Sequence, residues 1–261
     1  MLKAGVAGRP TVVMLHGFLG TGGDWAEVAR FLQPRFRCLL PDLPGHDGRP
    51  LDPVVAEDLF AAYSDLLWRN LEPLLPPRFA LVGYSLGGRL ALDLACRHPH
   101  RISALVLEAA HPGLPLAGER AERAGVDADW ARRFEAEPWL RVLEDWYRQP
   151  VFASLSDEQR RVFVVRRSAQ LPRILSEVLR STSLARQPNR WDDLPRLTMP
   201  IGFLAGRLDR KFCAIGDRMA GLAPHLTLVK LDGLGHNCHA LAPEAVAGFI
   251  RRMCTAEHAS S

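Results

Sequence analysis

The chain has 261 residues, enough for one large domain or two small ones with a sizeable hydrophobic core. Hydrophobic residues make up 48% and charged residues 24%, a balance typical of folded globular proteins that excludes collagen-like and low-complexity chains. The 33 basic residues outnumber the 29 acidic ones only slightly and are spread along the chain, so nucleic acid is not an expected partner. Small acidic ligands are compatible with this charge.

The sequence has no apolar run near the ~18 residues of a membrane helix, and its first residues lack the apolar stretch of a signal peptide. We therefore expect no membrane insertion, a cytoplasmic location and, by default, a monomer. Five cysteines at irregular spacing, without a Cys-x-x-Cys pair, predict reduced thiols. His236, Cys238 and His239 also admit an interpretation as metal ligands, but a second ligand pair at finger-like spacing is missing.

Short apolar runs alternate with amphipathic stretches in the first and last parts of the chain. Strands are predicted at residues 11–15, 38–40, 79–82, 102–107, 201–204 and 226–231. Helices are predicted after Asp24, which suits an N-cap, at residues 54–71, after the third strand as far as Arg97, and from Pro243 onward. This alternation predicts an α/β fold with a mostly parallel central sheet flanked by helices on both faces.

The alternation stops between Pro112 and Arg190. Four or so arginine-rich helical stretches follow one another there with no strand between them. We interpret residues 112–190 as an inserted helical lid, and residues 1–111 together with 191–261 as the α/β core.

A Gly-x-Ser-x-Gly motif, Gly83-Tyr84-Ser85-Leu86-Gly87, lies directly after the third predicted strand and directly before a helix. At such a strand-to-helix turn the serine occupies a strained backbone conformation, and the flanking glycines avoid collisions with the adjoining strand and helix. This context, more than the match itself, predicts that Ser85 is a nucleophile.

A serine hydroxyl needs a histidine base, and that histidine needs a carboxylate to hold its tautomer and orientation. Asp209 follows the strand at residues 201–204, and His236 follows the strand at residues 226–231. Each of them alone could be a loop N-cap or a surface histidine. The order serine, acid, histidine at three strand ends is typical of the α/β-hydrolase fold, so we predict a triad of Ser85, Asp209 and His236.

The segment His16-Gly17-Phe18 follows the first predicted strand, where such folds carry an oxyanion-hole loop. We expect the backbone N–H groups of Phe18 and Leu86 to point at a developing negative oxygen, and each such donor contributes roughly 3 kcal/mol to the transition state. His16 is expected to buttress the loop by hydrogen bonding, and Asp42 to hold its own Pro-Gly turn.

Arginine suits planar, bidentate recognition of carboxylates. Arg89 lies one helical turn after Ser85, while Arg123 and Arg167 lie in the predicted lid, so these three are candidate anion-binding residues. The alternative is that the lid arginines are solvated surface charges. Trp146 and Tyr147 also have two interpretations, as core residues or as the wall of an apolar pocket.

Several segments are more specific than the elbow, which a whole superfamily shares. They are Gly83-Tyr84-Ser85-Leu86-Gly87-Gly88-Arg89, Glu108-Ala109-Ala110-His111-Pro112-Gly113-Leu114, Ala121-Glu122-Arg123, DWYRQPVFASL at residues 145–155, and Asp209-Arg210-Lys211-Phe212. With them, the sequence from the His16 loop to the last histidine resembles the MenH-type 2-succinyl-6-hydroxy-2,4-cyclohexadiene-1-carboxylate (SHCHC) synthases of menaquinone biosynthesis, which have the α/β-hydrolase fold.

The resemblance implies a role for each predicted site residue: the triad Ser85, Asp209 and His236, the oxyanion-hole donors Phe18 and Leu86, and the carboxylate-binding residues Arg89, Arg123 and Arg167. It further implies a pocket lined by Tyr84, Trp146 and Lys211.

The sequence departs from the family pattern at three points. Ala109-Ala110 stands in place of Gly-Gly, Arg207-Leu208 precedes Asp209 where an Arg/Lys-Asp pair is commoner, and few residues precede the first parallel strand. We expect the two alanines to affect pocket volume only, and the N-terminal antiparallel strands to be abbreviated.

The reaction that the resemblance implies is an elimination. The substrate is 2-succinyl-5-enolpyruvyl-6-hydroxy-3-cyclohexene-1-carboxylate, which loses a ring proton next to its succinyl ketone and then expels pyruvate. The expected partner is therefore a small-molecule tricarboxylate, matched by three arginines, and no metal or organic cofactor is needed. Two other functions stay open, a carboxylesterase or carbon–carbon bond hydrolase with the same triad, and a non-catalytic ligand receptor on the same scaffold.

Overall fold

A computed structural model describes residues 2–4, 6, 8–51 and 58–255, and its described residues form one seven-stranded sheet. The strands are β1 (Leu2–Ala4), β2 (Thr11–Leu15), β3 (Arg37–Leu40), β4 (Phe79–Tyr84), β5 (Ile102–Glu108), β6 (Ile201–Gly206) and β7 (Leu226–Leu231). Their order is β1-β3-β2-β4-β5-β6-β7, with β1 antiparallel to β3 and all other neighbours parallel. This confirms the predicted α/β class, and the antiparallel strand is as short as expected.

Burial explains why the strands read as continuous apolar runs. Every residue of β2, β4 and β6 is buried, because helices cover both faces of the sheet. The register pairs Leu15 with Gly83, and Tyr84 with Glu108. The loops that follow β2, β4 and β5 therefore leave the sheet side by side, at its carboxyl edge, which is where open α/β sheets bind ligands.

The α-helices of the described residues flank the sheet or lie in the insertion after β5. They are α1 (Ala26–Leu32), α2 (Leu59–Leu71), α3 (Leu86–Arg97), α4 (Ala117–Ala136), α5 (Trp139–Trp146), α6 (Asp157–Arg167), α7 (Pro172–Ser181), α8 (Arg210–Leu222), α9 (Cys238–Leu241) and α10 (Pro243–Thr255). None of these described helices is both long and apolar enough to cross a membrane.

Two observed helix starts differ from the prediction. The helix predicted at residues 54–71 is observed from Leu59, and residues 52–57 lie outside the described residues. Asp24 is not the N-cap of α1: it lies inside a short 3-10 helix (Gly22–Trp25), and its carboxylate accepts a hydrogen bond from Thr21 N. The chain thus forms a turn of 3-10 helix before α1 begins, and Asp24 lies within that turn.

Helices α4–α7 form what we call the four-helix insertion, residues 117–181, between β5 and β6. It packs on the loop after β2 through a hydrophobic cluster that contains Leu19 from the loop together with Phe134, Leu143 and Leu175 from the insertion. The insertion therefore covers the carboxyl edge of the sheet. The division of the chain at residues 112 and 190 into a core and a lid stays a prediction.

Candidate active site

Ser85 lies at the sharp turn between β4 and α3. Its φ of 50° and ψ of −111° put it in a strained conformation that side chains rarely adopt. The turn is possible because of its glycines: a Cβ on Gly83 would lie 2.3 Å from Gly87 O, and one on Gly87 would lie 2.3 Å from Leu15 O. The local sequence thus forces the Ser85 side chain out at the edge of the sheet.

His236 and Asp209 meet at the neighbouring strand ends. His236 Nδ1 lies 2.6 Å from Asp209 Oδ2, and both side chains are 4% exposed. Asp209 is also the N-cap of α8, since its Oδ1 accepts a hydrogen bond from Phe212 N at 3.2 Å. An ionised carboxylate can only accept, so with that partner Nδ1 donates and Nε2 has a lone pair available to accept a proton.

Ser85 and His236 line the same cavity, whose volume is about 490 Å³, with Phe18 and Leu86 also in its wall. This volume lies in the usual range for small-molecule sites, about 300–1,000 Å³. Among the described residues no hydrogen bond joins the Ser85 hydroxyl to the His236 ring. Catalytic hydrogen bonds often tighten only when substrate binds, so the two groups remain compatible with direct proton transfer.

Positive charge dominates the cavity wall. The described residues that line it include one carboxylate, Asp209, and four cations, Arg89, Arg123, Arg210 and Lys211. Burial, followed by the charges of Lys211, Arg89, Arg123 and Arg218, lowers the pKa of His111 to about 3. Burial and then Arg123 lower the pKa of Lys211. This excess of positive charge suits an anionic ligand.

Arg89 and Arg123 differ in their partners. Arg89 donates to Thr182 O at 2.8 Å and to Gln187 Oε1 at 3.3 Å, both neutral acceptors. Burial, together with the neighbouring Arg123, lowers its pKa to about 9. Arg123 is paired with Asp127, whose Oδ2 lies 2.9 Å from its Nε. Arg89 therefore has a full charge that a ligand carboxylate would offset.

Two predicted site residues are not among the described residues that line the cavity. Tyr84 lies behind it, where its hydroxyl accepts a hydrogen bond from Asn237 Nδ2 at 2.8 Å. Arg167 is buried, and its Nη2 lies 2.6 Å from Asp24 Oδ2. Tyr84 differs from the prediction because successive side chains of a strand point to opposite faces, so the neighbour of Ser85 points away from the cavity. Arg167 differs because a buried guanidinium requires a carboxylate partner.

The remaining predicted residues are placed as follows. Trp146 and Lys211 line the cavity, whereas Tyr147 is buried and stacks on Phe163 at 5.3 Å. Of the two alanines that replace the Gly-Gly pair, Ala109 lines the cavity and has a φ of 47°. The Cβ of Ala110 packs instead against Gly88.

His16 supports the loop that follows β2. Its Nε2 accepts a hydrogen bond from Leu43 N at 2.9 Å, and its Nδ1 therefore donates to Gly17 O at 2.8 Å. Burial lowers its pKa to about 4, so the ring is neutral. Asp42 adds a second link, because it accepts a hydrogen bond from Gly22 N at 2.8 Å. These bonds agree with the expected buttressing role of His16.

Several residues at the site were not predicted from the sequence. Arg210, Gln149 and His111 line the cavity, and Glu108 is paired with His239 directly behind it. Arg210 had a signal, because it follows Asp209 inside the conspicuous motif. The Glu108–His239 pair had none, since the two residues are 131 positions apart. Among the described residues no group of three or more His, Cys, Asp or Glu side chains could hold a metal ion.

Comparison with known proteins matches this geometry to a family. The family model for the α/β-hydrolase fold matches residues 10–243. The chain is 41% identical over 251 residues to the 2-succinyl-6-hydroxy-2,4-cyclohexadiene-1-carboxylate synthase of Escherichia coli O1:K1 / APEC, an alignment that covers 96% of each chain.

Solved structures give the same picture. The structure of MenH from S. aureus superposes with a TM-score of 0.86 at 28% identity and covers 98% of this chain and 97% of its own. A thermophilic esterase from Thermogutta terrifontis superposes with a TM-score of 0.76 at 25% identity, over 96% of this chain and 90% of its own. The fold is thus shared with an esterase, but the higher identity, 41% over 96% of the chain, is with the synthase. The chain belongs to the SHCHC synthase family within the α/β-hydrolase fold.

Proposed function

We propose that Ser85, His236 and Asp209 carry out the reaction of this family, the elimination of pyruvate that gives SHCHC. The chain is a pyruvate-eliminating lyase of menaquinone biosynthesis, as its 41% identity to the synthases indicates. The observation that supports the assignment of residues is the cavity, which combines a histidine–carboxylate pair with four cations. An esterase needs the first of these features but not the second.

The proton abstraction uses His236 as base. The proton next to the succinyl ketone on the substrate ring is accepted by Nε2 of His236, either directly or through the Ser85 oxygen between the imidazole and the substrate. The bonding electrons of that C–H bond form an enolate, which then expels the enolpyruvyl oxygen at the far end of the conjugated system. The ring becomes a diene, and the departing enolate of pyruvate takes up a proton, from the imidazolium or from water, to give pyruvate. Asp209 stabilises the imidazolium that forms, as in a Ser-His-Asp triad.

The enolate oxygen would lie in the oxyanion hole. Phe18 and Leu86 both line the cavity beside Ser85, and Leu86 is the first residue of α3. Backbone N–H groups at a helix start favour negative charge, and each preorganised donor contributes about 3 kcal/mol to the transition state. No metal or organic cofactor enters this scheme, because every step is a proton transfer or a bond cleavage that side chains and backbone can assist.

The cations would hold the substrate carboxylates. Arg89 and Lys211 have no carboxylate partner among the described residues, while Arg123 presents its free edge beside Asp127. Arg167 would reach a substrate carboxylate only by exchanging it for Asp24. We therefore propose that Arg89, Arg123 and Lys211 are the main carboxylate-binding residues. Binding of a substrate carboxylate by Arg167 stays a prediction.

Residues 112–190 act as a lid in this proposal. An arginine-rich lid that closes on an anionic ligand should gain protection from hydrogen exchange when that ligand is added, and unchanged protection would contradict it.

We also propose a cytoplasmic monomer. All five cysteines are free, which supports a reducing compartment. Cell fractionation and sedimentation test these two points.

The test of function mixes the purified protein with the enolpyruvyl substrate, made in situ by the preceding enzyme of the pathway. Pyruvate release and diene absorbance should rise together in equal amounts. Both should vanish with Ser85→Ala, whereas Ser103→Ala, in β5 and away from the cavity, should keep full activity. If neither signal exceeds the uncatalysed rate, the proposed function is wrong.

The same preparation tests the hydrolase alternative. A carboxylesterase would release alcohol from p-nitrophenyl esters in a burst, and its turnover would survive loss of Arg89. A lyase should show slow esterase activity at most.

A further inference from the structure

A second buried acid–histidine pair lies directly behind the candidate active site. Glu108, the last residue of β5, accepts two hydrogen bonds through Oε1, from His239 N at 3.0 Å and from His239 Nδ1 at 2.9 Å. Their side chains are 2% and 3% exposed. Neither is among the described residues that line the cavity, so neither touches a ligand there.

The pair is poorly suited to a purely stabilising role. Glu108 Oε2 is buried and makes no hydrogen bond among the described residues. A buried polar atom without a partner costs about 1–3 kcal/mol, and an apolar pair of the same volume often stabilises a core better. Local rules of stability are typically broken at positions that serve function.

Glu108 is hydrogen-bonded to both segments that carry the proposed proton transfer, the turn of Ser85 and the loop after His236. Its backbone oxygen accepts a hydrogen bond from Ser85 N at 2.9 Å, next to the strained turn. Its carboxylate holds His239, three residues after His236. A single residue of β5 therefore fixes the backbone of the nucleophile and the loop of the base.

A second link joins the same two segments. Tyr84, which precedes Ser85, accepts a hydrogen bond from Asn237, which follows His236, at 2.8 Å. The His239 ring packs against Trp25 and Tyr84, with ring centroids 4.6 and 4.5 Å away. The loop that carries the base is thus held to the nucleophile turn by two hydrogen-bonded pairs and by ring packing.

We propose that Glu108 and His239 are positioning residues, which set the distance between Ser85 and the His236 imidazole during proton transfer. The inference rests on the proposed role of His236 as the base. Asp209 holds only one side of that ring, through Nδ1, and belongs to a different strand end. The Glu108–His239 bonds tie the loop to the strand beside Ser85, so their loss lets the imidazole drift from the substrate and lowers kcat.

Two substitutions of His239 separate this role from general packing. In His239→Asn the amide nitrogen can occupy the position of Nδ1 and still donate to Glu108, whereas in His239→Gln the amide reaches the position of Nε2. We expect His239→Gln to lower kcat about tenfold or more with KM changed less than about twofold, and His239→Asn to keep kcat within about threefold. Rescue by the conservative variant is the feature that packing does not predict.

Controls separate the inference from the proposed function. His98 stacks on Trp68 at 3.9 Å, outside the active site, so His98→Asn and His98→Gln should both keep the wild-type kcat. Pyruvate release by the wild type, and its loss in Ser85→Ala, tests the proposed function separately. If the wild type releases pyruvate but the two His239 variants have equal kcat values, or differ only in KM, the positioning role is wrong.

A second pair of variants covers a failure of His239→Gln to fold. Glu108→Gln keeps the acceptor oxygen and the shape, and Glu108→Met keeps the length without an acceptor. We expect the first to retain kcat within about threefold and the second to lose about tenfold or more. Equal kcat values for these two variants would overturn the inference.

Discussion

The carboxyl edge of the sheet and the four-helix insertion hold their functional groups by different means. At the edge, a strained turn places Ser85, and a buried hydrogen bond fixes His236 on Asp209. In the insertion, Arg123 is held by an ion pair one helical turn away, with its side chain 35% exposed. In the proposed function, backbone geometry therefore places the groups that react and flexible side chains place the charges that bind substrate, so the two regions should respond differently to substitution.

The largest expected effect is that of Asp209→Asn, at the carboxyl edge of the sheet. The amide can donate to His236 and so favours the wrong ring tautomer, which should lower kcat by about 10²–10⁴-fold without unfolding the protein. Asp217→Asn, on the exposed side of the same helix, is the matched control, and pyruvate release is the assay. A near-wild-type rate would indicate another acid, with Asp192, Asp193 and Asp232 the next to test.

The next largest effect should come from the ion pair that joins the two regions. Although burial opposes it, Arg167 lowers the pKa of Asp24, and their side chains are 7% and 10% exposed. Asp24→Asn leaves a buried guanidinium without its counter-charge, so the free energy of unfolding should fall by about 3 kcal/mol.

Glu27→Gln provides the matched control for this pair. Glu27 forms an exposed ion pair with Arg30 close by in the chain, so its loss should cost less than about 1 kcal/mol. Urea unfolding measures both variants. Equal losses would mean that the Arg167–Asp24 pair contributes no more than a surface contact.

The pH dependence of stability sharpens the description of the edge. The pKa of His16 falls from 6.5 to about 4 on folding, so the unfolded chain binds the extra proton between these values. Its contribution is complete above pH 6.5 and declines as the pH falls toward 4, by about 3 kcal/mol in all. In His16→Gln this part of the slope should disappear, while exposed His225→Gln should keep it. Parallel wild-type and His16→Gln curves would show that His16 is not the cause.

The smallest predicted effect concerns recognition. Arg123→Lys keeps the charge but removes the planar fork, so kcat/KM should fall about tenfold, equivalent to roughly 1.4 kcal/mol. Arg132→Lys, an exposed position on the same helix, should leave kcat/KM unchanged. Unchanged kinetics in Arg123→Lys would remove Arg123 from the site.

The site residues differ in how well their positions could be predicted from the sequence. That Ser85, Asp209 and His236 would meet was predictable because each follows a strand, and parallel strands end at one edge of the sheet. Tyr84 belongs to the same motif, and the resemblance implied that it lines the pocket, but it lies behind the cavity, where it is hydrogen-bonded to Asn237. A motif gives the order of side chains, but the turn decides which of them points into the cavity.

The sequence by itself determined the α/β class, the strained serine turn, the order of the candidate triad residues and the helical insertion, because all of these follow from local periodicity and from the order of the elements along the chain. Only the tertiary structure decided which cations line the cavity, that Arg167 pairs with Asp24 across 143 positions, and that Glu108 holds His239. Long side chains take the partners that lie nearest in space, and burial forces polar groups to find them, so these contacts follow from how the whole chain packs.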